Sequence, residues 1–571
     1  MSHYWLVLLS LPILVGLAGC SNYYEHFEKS ADREVYGIIQ QKGREVPNMP
    51  KDFSIEESTE TVFETGASSE SMTLSLIDAL DIAVQHSREY QSQRESLYTE
   101  GLSLSLNRHE WWPIFSSQID VNKVQDGQAV EVLDANGEGT GKFEGNDVRT
   151  RQRNFVNGVR LMLATGADLS LNLATNYFRY ASGEPYRTNT SVITGTFTQP
   201  LLRGFGPKVA RESLTQAERD MVYAIRNYVR FRKQFSVDLA QDYFRLLQQL
   251  QTVENQRQNY LRLKASRERD EAMAQYGKIE QYTVDQTRQD ELSAHDNWNL
   301  AQQNYEAQLD NFKITLGIPM DAEIRLDNKE LERIEQEGLN PLKLDEAYAI
   351  TLALENRLDL RNQREVEEDA ERLVDIAKNG LLPGLDFTFD YRNESNPAAP
   401  LQPFNFRDEF DRLSYTLELD LRLDKKDDRN SYRLAQIALT AARRDLEARI
   451  DRTKQEVREA YRNLLQARSS YEIQRQGLRL AEQRVENVDL LVQYGRAITR
   501  DRLEAQRALI DAQNAVVESL VDHHNAQLDL LMAIEGLTIG ENGMWEVSIQ
   551  RDAEAVQTVQ SETNEMETAT P

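Results

Sequence analysis

One hairpin signature occurs twice in this chain. Gln275-Tyr276-Gly277-Lys278 and Gln493-Tyr494-Gly495-Arg496 each interrupt two very long polar stretches with helical periodicity. An internal repeat constrains architecture before any single residue does. Here the repeat is roughly 200 to 250 residues, far longer than a solenoid unit of about 20 to 50, so it reads as duplication of a whole structural unit. The first repeat opens Leu74-Ser-Leu76-Ile-Asp-Ala79-Leu80-Asp-Ile-Ala83, the second Leu342-Lys-Leu344-Asp-Glu-Ala347-Tyr-Ala-Ile350-Thr-Leu-Ala353. Both then reach a proline, Pro113 and Pro383, at equal spacing from Ala83 and Ala353. Proline stops a helix because it lacks the amide donor and clashes with the preceding turn.

Past each proline the hydrophobic period changes from helical to two. Leu385-Asp-Phe387-Thr-Phe389-Asp-Tyr391 alternates, and so does Leu413 through Leu423. That pattern predicts two amphipathic strands within 384–423, joined by a Pro- and Asn-rich loop over 394–412. In the first repeat it predicts four strands within 113–199: Ile114–Val124, Val156–Leu163, Asp168–Phe178 and Val192–Thr198. Residues 125–150, rich in Gly and Asp, read as an exposed loop. From proline to tip glycine the first repeat is about 50 residues longer than the second (113–277 against 383–495), and its additional β material accounts for the difference. The turn Ala164-Thr165-Gly166-Ala167 marks an extra hairpin, which either widens the sheet of the other strands or lies outside it.

The long stretches follow. Leu446, Ile450, Val457, Tyr461, Leu464, Ala467, Tyr471 and Leu478 are spaced mostly by three, four or seven, a heptad-like seam with charges between. Met221, Ile225, Tyr228, Phe235, Leu239, Tyr243 and Leu246 continue the same theme in the first repeat. A helix from 208 to 275 would run about 100 Å at about 1.5 Å per residue, so it must pack along other long helices. Gly277 and Gly495 suit the left-handed position that ends a helix before a reversal. Second arms over 280–316 and 499–535 close near Gly317 and Gly536.

Residues 1–19 are apolar and of signal-peptide length, ending Leu17-Ala18-Gly19-Cys20, although Met1 to Tyr4 carry no Lys or Arg. This resembles a bacterial lipoprotein processing box, with Cys20 as the lipidated residue and Ser21 favouring the outer membrane. Residues 20–72 read as a lipid-anchored N-terminal tether or wrap, and 549–571 as an acidic disordered tail. No other segment reaches about 18 consecutive apolar residues, so any membrane crossing falls to β-strands. The net charge of −27, from 66 Lys+Arg against 93 Asp+Glu, argues against nucleic acid as a partner. Cys20 is the only cysteine, there are seven His, and no nucleophile–base constellation is present. Disulfide, metal, cofactor and enzymatic readings therefore have no supporting residues.

The order helix, strands, long helix, tip turn, helix, twice over behind a signal sequence, resembles the TolC family of bacterial outer membrane efflux proteins. The likeness covers about 73–545, with repeat 1 at 73–320 and repeat 2 at 341–545. It is carried by Ala79-Leu80…Ala83, by Thr198-Gln199-Pro200-Leu201-Leu202-Arg203-Gly204, and by Tyr494-Gly495…Asp501-Arg502-Leu503-Glu-Ala505-Gln506. The last is similar to the family's Tyr-x-x-Gly…Asp-Val-Leu-x-Ala-Gln pattern. The resemblance implies a mainly α fold with a membrane β-barrel portion, internally duplicated and homotrimeric. It implies a passive channel for efflux or type I secretion in the bacterial outer membrane, in contact with outer membrane lipid and reaching into the periplasm. Its implied partners are a periplasmic adaptor (membrane fusion) protein and an inner-membrane pump; drug, metal-ion and protein exporters share this plan. Two physical points agree: one chain has too few strands to close a wide barrel, and an open sheet in lipid leaves unpaired edges. Two departures stand out: the family usually supplies two strands per repeat rather than four, and the first tip lacks the pattern's Leu. The competing reading is a lipid-anchored periplasmic coiled-coil scaffold or adhesin, which the paired alternating strands argue against.

On this resemblance Tyr276, Gly277, Lys278, Tyr494, Gly495, Arg496 and Asp501 are candidates for adaptor docking at the tips. Asp285, Asp489 and Asp501 are candidates for an acidic entrance ring, since three-fold symmetry triplicates an inward carboxylate. Otherwise the glycines only cap helices and the acids are solvated surface. Trp111 and Trp112 mark either a membrane interface or packing at the helix-to-strand bend. His523 and His524 point about 100° apart on a helix, a poor geometry for shared coordination. Gly204-Phe205-Gly206-Pro207-Lys208 lacks a phosphate loop's ending and reads as a strand-to-helix joint.

Overall fold

The computed structural model describes residues 22–56, 72–133, 139–180, 187–337, 339, 344–494 and 496–547. The leader, Cys20, Gly495, Leu342 and the 549–571 tail lie outside the described residues. The chain divides into two compact units: 1–38, 100–221 and 365–444 make the first, and 39–99, 222–364 and 445–571 the second.

Helix α1 (Asn22–Gly43) precedes β1 (Met72–Leu74), α2 (Leu76–His86) and α3 (Arg88–His109). Strands β2 (Ile114–Leu133), β3 (Gly139–Met162), β4 (Asp168–Tyr180) and β5 (Arg187–Pro200) follow. After one helical turn at Pro207–Ala210 come α4 (Glu212–Gln275) and α5 (Gln281–Leu316). The link β6 (Ile324–Leu326), α6 (Lys329–Glu337) leads to the second copy. That copy comprises α7 (Glu346–Asn356), α8 (Leu358–Gly380), β7 (Gly384–Ser395), β8 (Phe406–Asp420), α9 (Lys426–Gln493) and α10 (Thr499–Ala533). A small antiparallel pair, β9 (Leu537–Ile539) and β10 (Trp545–Val547), ends the described chain.

The first unit is built on one six-stranded sheet in the order β2-β3-β4-β5-β7-β8, antiparallel throughout. The hairpin that the turn 164–167 marks is β3–β4, and it is part of the sheet, between β2 and β5. The expected loop over 125–150 is a correction: β2 and β3 pair through most of it, as far as Leu133 and Gly139. Ladder hydrogen bonds are backbone bonds and do not need alternating side chains. The backbone ladder therefore runs through the Gly, Asp and Asn that removed the period-two signal. The 394–412 loop is likewise shorter, since β7 runs to Ser395 and β8 starts at Phe406.

Register sorts the sheet's faces. Directly opposed residues share a face, so Phe115, Val159, Leu171, Gly195, Tyr391 and Leu413 form one row. Leu161, Leu169, Phe197, Phe389 and Tyr415 form the next, then Phe387 with Leu417 and Leu385 with Leu419. On the opposite face the rows read Ser116, Gly158, Asn172, Thr194, Arg392, Arg412 and Ile114, Arg160, Ser170, Thr196, Asp390, Ser414. As far as the Leu413 row one face is apolar and the other polar; the next row on the apolar face, Ser117, Asn157, Leu173, Ile193, Asn393 and Asp411, is mixed. The apolar face is open: Leu413, Tyr415, Leu417 and Leu419 are 56% to 68% exposed.

The second unit holds the main hydrophobic core. Leu74, Leu76, Leu80, Leu239, Tyr243, Phe244, Leu316, Leu528 and Leu531 are buried together around the parallel pair β1–β6. Ser75 caps α2 through a capping box with Asp78, which explains the abrupt start at Leu76. Gly317 ends α5 at φ +77, and a Cβ there would stand 2.0 Å from the His86 carbonyl oxygen, so glycine is required. At the end of α10 the left-handed residue is Glu535 (φ 59), and the Gly536 amide donates to Leu531 at 2.8 Å. Its buried carboxylate is held by Arg230 at 2.8 Å and Lys233 at 2.9 Å, contacts that offset the backbone strain. Among the described residues of the 20–72 segment, α1 buries Val35, Ile38 and Ile39, and Ser105 donates to Glu34. The helical spacing of those apolar residues was diluted by their polar neighbours.

Candidate functional site

Two helical hairpins of the second unit, α4–α5 and α9–α10, end in the repeated tips. At the first, Gly277 (φ +68) takes the left-handed position. Its amide donates to Ala274 and that of Lys278 to Met273, a Schellman closure. No atom lies within 4 Å of a Cβ built there, so the conformation and not space selects glycine. At the second, the Arg496 amide donates to Leu491, the same six-residue closure. Tyr276 and Tyr494 are about four-fifths exposed, at 81% and 78%. Lys278 and Arg496 are exposed beside them.

Asp501 lies exposed in the first turn of α10, where its carboxylate accepts the Ile498 amide at 3.1 Å. It therefore caps the helix, and its charge also suits the positive helix end. Asp285 is exposed in the first turns of α5. Asp489 is half-buried and lines a cavity of about 970 Å³ with Arg262, Arg269, Arg500 and Arg502. Within one chain these three carboxylates do not converge: of the three, Asp489 alone lines the cavity.

Arg502 joins the hairpins. Its buried guanidinium donates to Ser266 Oγ at 2.6 Å and stands 3.9 Å from Asp270 Oδ2. Asp270, also buried, accepts from Thr287 Oγ1 at 3.0 Å. One cluster thereby links α4, α5 and α10. Burial, and then the charge of Arg269, push the Arg502 guanidinium below its ordinary pKa. Arg507 pairs with Asp290 across the same hairpins, Arg267 with Glu291 inside the first, and Arg484 with Glu504 inside the second. Leu503 packs with Leu263 and Ala294 directly beneath. Sequence reading passed over Arg502, Ser266, Asp270 and Thr287. A signal existed: Arg502 stands where the family pattern has Val, an apolar position that here holds a charge.

The remaining motifs resolve locally. Trp111 packs under Arg211 at 5.4 Å, whereas Trp112 is 68% exposed at the start of β2. Gly204 donates to Asn379 Oδ1 and Gly206 to the Thr165 carbonyl, making 204–208 a joint between strand and helix. His524 lies edge-on to Phe244 at 4.6 Å, and burial, with the His523 and Arg333 charges, pushes its pKa down to about 4.

Residues 349–534 match the family model described as outer membrane efflux protein. No curated protein matches the chain. Among solved structures, the Campylobacter jejuni CmeC outer membrane channel is 15% identical, with a TM-score of 0.57 over 89% of this chain and 98% of its own. The outer membrane protein VceC of Vibrio cholerae is 16% identical, with a TM-score of 0.57 over 80% and 95%. The open state of the Neisseria gonorrhoeae MtrE outer membrane channel gives 13%, 0.54, and 85% and 97%. This chain therefore shares their fold.

Proposed function

We propose that this chain, an outer membrane efflux protein by the family match of its second repeat and by its fold, is the outer membrane channel component of a tripartite efflux or type I secretion system. The observation that carries this is the two-faced sheet. An exposed apolar face costs heavily in water and is stable against hydrocarbon. The sheet ends in two outer strands, β2 and β8, that have one neighbour each. In lipid such edges must be paired, and pairing β8 of one copy with β2 of the next satisfies both. Closure by three copies, as family likeness suggests, gives a barrel of 18 strands from three six-stranded sheets. The polar face then lines a wet lumen.

The finer parts of this reading are proposals of the same kind. Cys20 carries a lipid that anchors the chain at the outer membrane. The tips, with Tyr276, Gly277, Lys278, Tyr494, Gly495, Arg496 and Asp501, dock a periplasmic adaptor that couples the channel to an inner-membrane pump. Conduction is passive. Detergent-solubilised protein should be trimeric by native mass spectrometry and should form pores in planar bilayers. A monomer that forms none sinks the proposal.

A further inference from the structure

Beyond the apolar rows, the same face of the sheet changes character. Lys123 opposes Arg151, Arg151 opposes Arg179, and Arg179 opposes Arg187, so four cations stand side by side across β2, β3, β4 and β5. The next row toward the helices holds Val121, Arg153, Tyr177 and Asn189. All five basic residues are exposed, and neither row contains a carboxylate. Directly opposed like charges destabilise a sheet. With strands about 4.8 Å apart, this row repels itself unless an anion lies over it. At the same level the other face carries Asn122, Gln152, Phe178 and Thr188, all neutral. The charge is therefore segregated to the apolar side and is not a lining for cargo.

Depth agrees with this placement. From the Leu385–Leu419 row to the Ile119–Phe155 row, a span interrupted by the mixed row Ser117, Asn157, Leu173, Ile193, Asn393 and Asp411, is about ten residues of strand, about 33 Å long, and a tilt of about 40° reduces that to about 25 Å. That is the height of the apolar band of an outer-membrane barrel. The Lys123–Arg187 row lies two rows further out, at the ends of the strands remote from Pro113, Pro200 and Gly384, where the chain passes into helix. Headgroups lie at that level. Tyr177 sits at the boundary, where aromatic residues favour the interface.

We propose that Lys123, Arg151, Arg153, Arg179 and Arg187 form a binding site for anionic lipid, holding the headgroup phosphates of the leaflet remote from the helices. Guanidinium forks match phosphate oxygens in bidentate geometry, and a bound phosphate relieves the repulsion along the row. A lipid bearing net negative charge is selected over a zwitterionic one, whose own ammonium competes for the phosphate. The inference rests on the sheet being a membrane wall.

The test uses the full chain in nanodiscs of phosphatidylcholine mixed with bisphosphorylated lipid A, with retained lipid counted by native mass spectrometry. Arg151→Gln with Arg179→Gln should retain about 30-fold less lipid A, because each basic residue near an anionic lipid surface is worth about fivefold. Arg475→Gln with Arg479→Gln, on α9, removes equal charge and should change nothing. Equal retention by wild type and the sheet variant overturns the site. Complete displacement of lipid A by millimolar inorganic phosphate overturns the lipid as its occupant. Failure of wild type to float with vesicles of either composition is a separate outcome, and it overturns the membrane-wall reading itself.

Discussion

Arg502 shows how one side chain can tie two hairpins together. Its hydrogen bond to Ser266 and its charge beside Asp270 are buried, so removing it strands polar partners. Arg502→Met should destabilise the hairpin tips by about 1–3 kcal/mol. Amide exchange should quicken over 262–290 and 489–506 while the sheet is unchanged, and an unaltered exchange map would show the link to be idle. His524 supplies a second residue-scale test. Its folded pKa of about 4 lies below the ordinary 6.5, so the unfolded chain takes up the proton first as pH falls. The contribution is full above about 6.5 and declines toward pH about 4, on the order of 3 kcal/mol. Thermal melts of wild type should lose stability across that window more steeply than melts of His524→Leu. Identical slopes would assign the acid sensitivity elsewhere. Neither residue was legible in function from sequence: a polar residue on a long helix reads as surface until its neighbours are known.

Among elements, β8 gives the sharpest contrast because its neighbouring residues point to opposite faces. Leu417 belongs to the apolar rows and Thr416 to the polar ones. In bilayers Leu417→Arg should cost about 2–4 kcal/mol and Thr416→Arg much less; urea titration of the folded protein in lipid measures both. Similar costs would mean that the apolar face does not meet lipid. Alternation made β7, β8 and the cores of β2 to β5 legible. The outer halves of β2 and β3 were not, because backbone pairing needs no side-chain period and their sequence carries none. Helix α1 was hidden for a related reason, its few buried residues being Val35, Ile38 and Ile39 in a polar run.

Across the whole molecule the β2–β3 hairpin sets the size of the proposed channel. Ile114 and Arg160 are register partners, so excising 114–162 brings together ends that already lie side by side. The shortened chain keeps β4, β5, β7 and β8, and three copies would close 12 strands instead of 18. Single-channel conductance in planar bilayers should fall clearly below that of the full chain. An unchanged conductance would place β2 and β3 outside the conducting barrel.

The sequence by itself determined the duplication, the long helices and the two-faced strands. Each of these is a periodicity, and periodicity survives in one dimension. It also located the Gly277 tip, because a left-handed helix stop selects glycine whatever surrounds it. Only the tertiary structure decided that the extra hairpin joins the sheet, that Glu535 holds the strained position, and that Arg502 reaches Ser266 across 236 residues of chain. It also aligned Lys123, Arg151, Arg179 and Arg187 in one row. These are pairings between distant segments, and register between strands or helices is set by packing that no local pattern encodes.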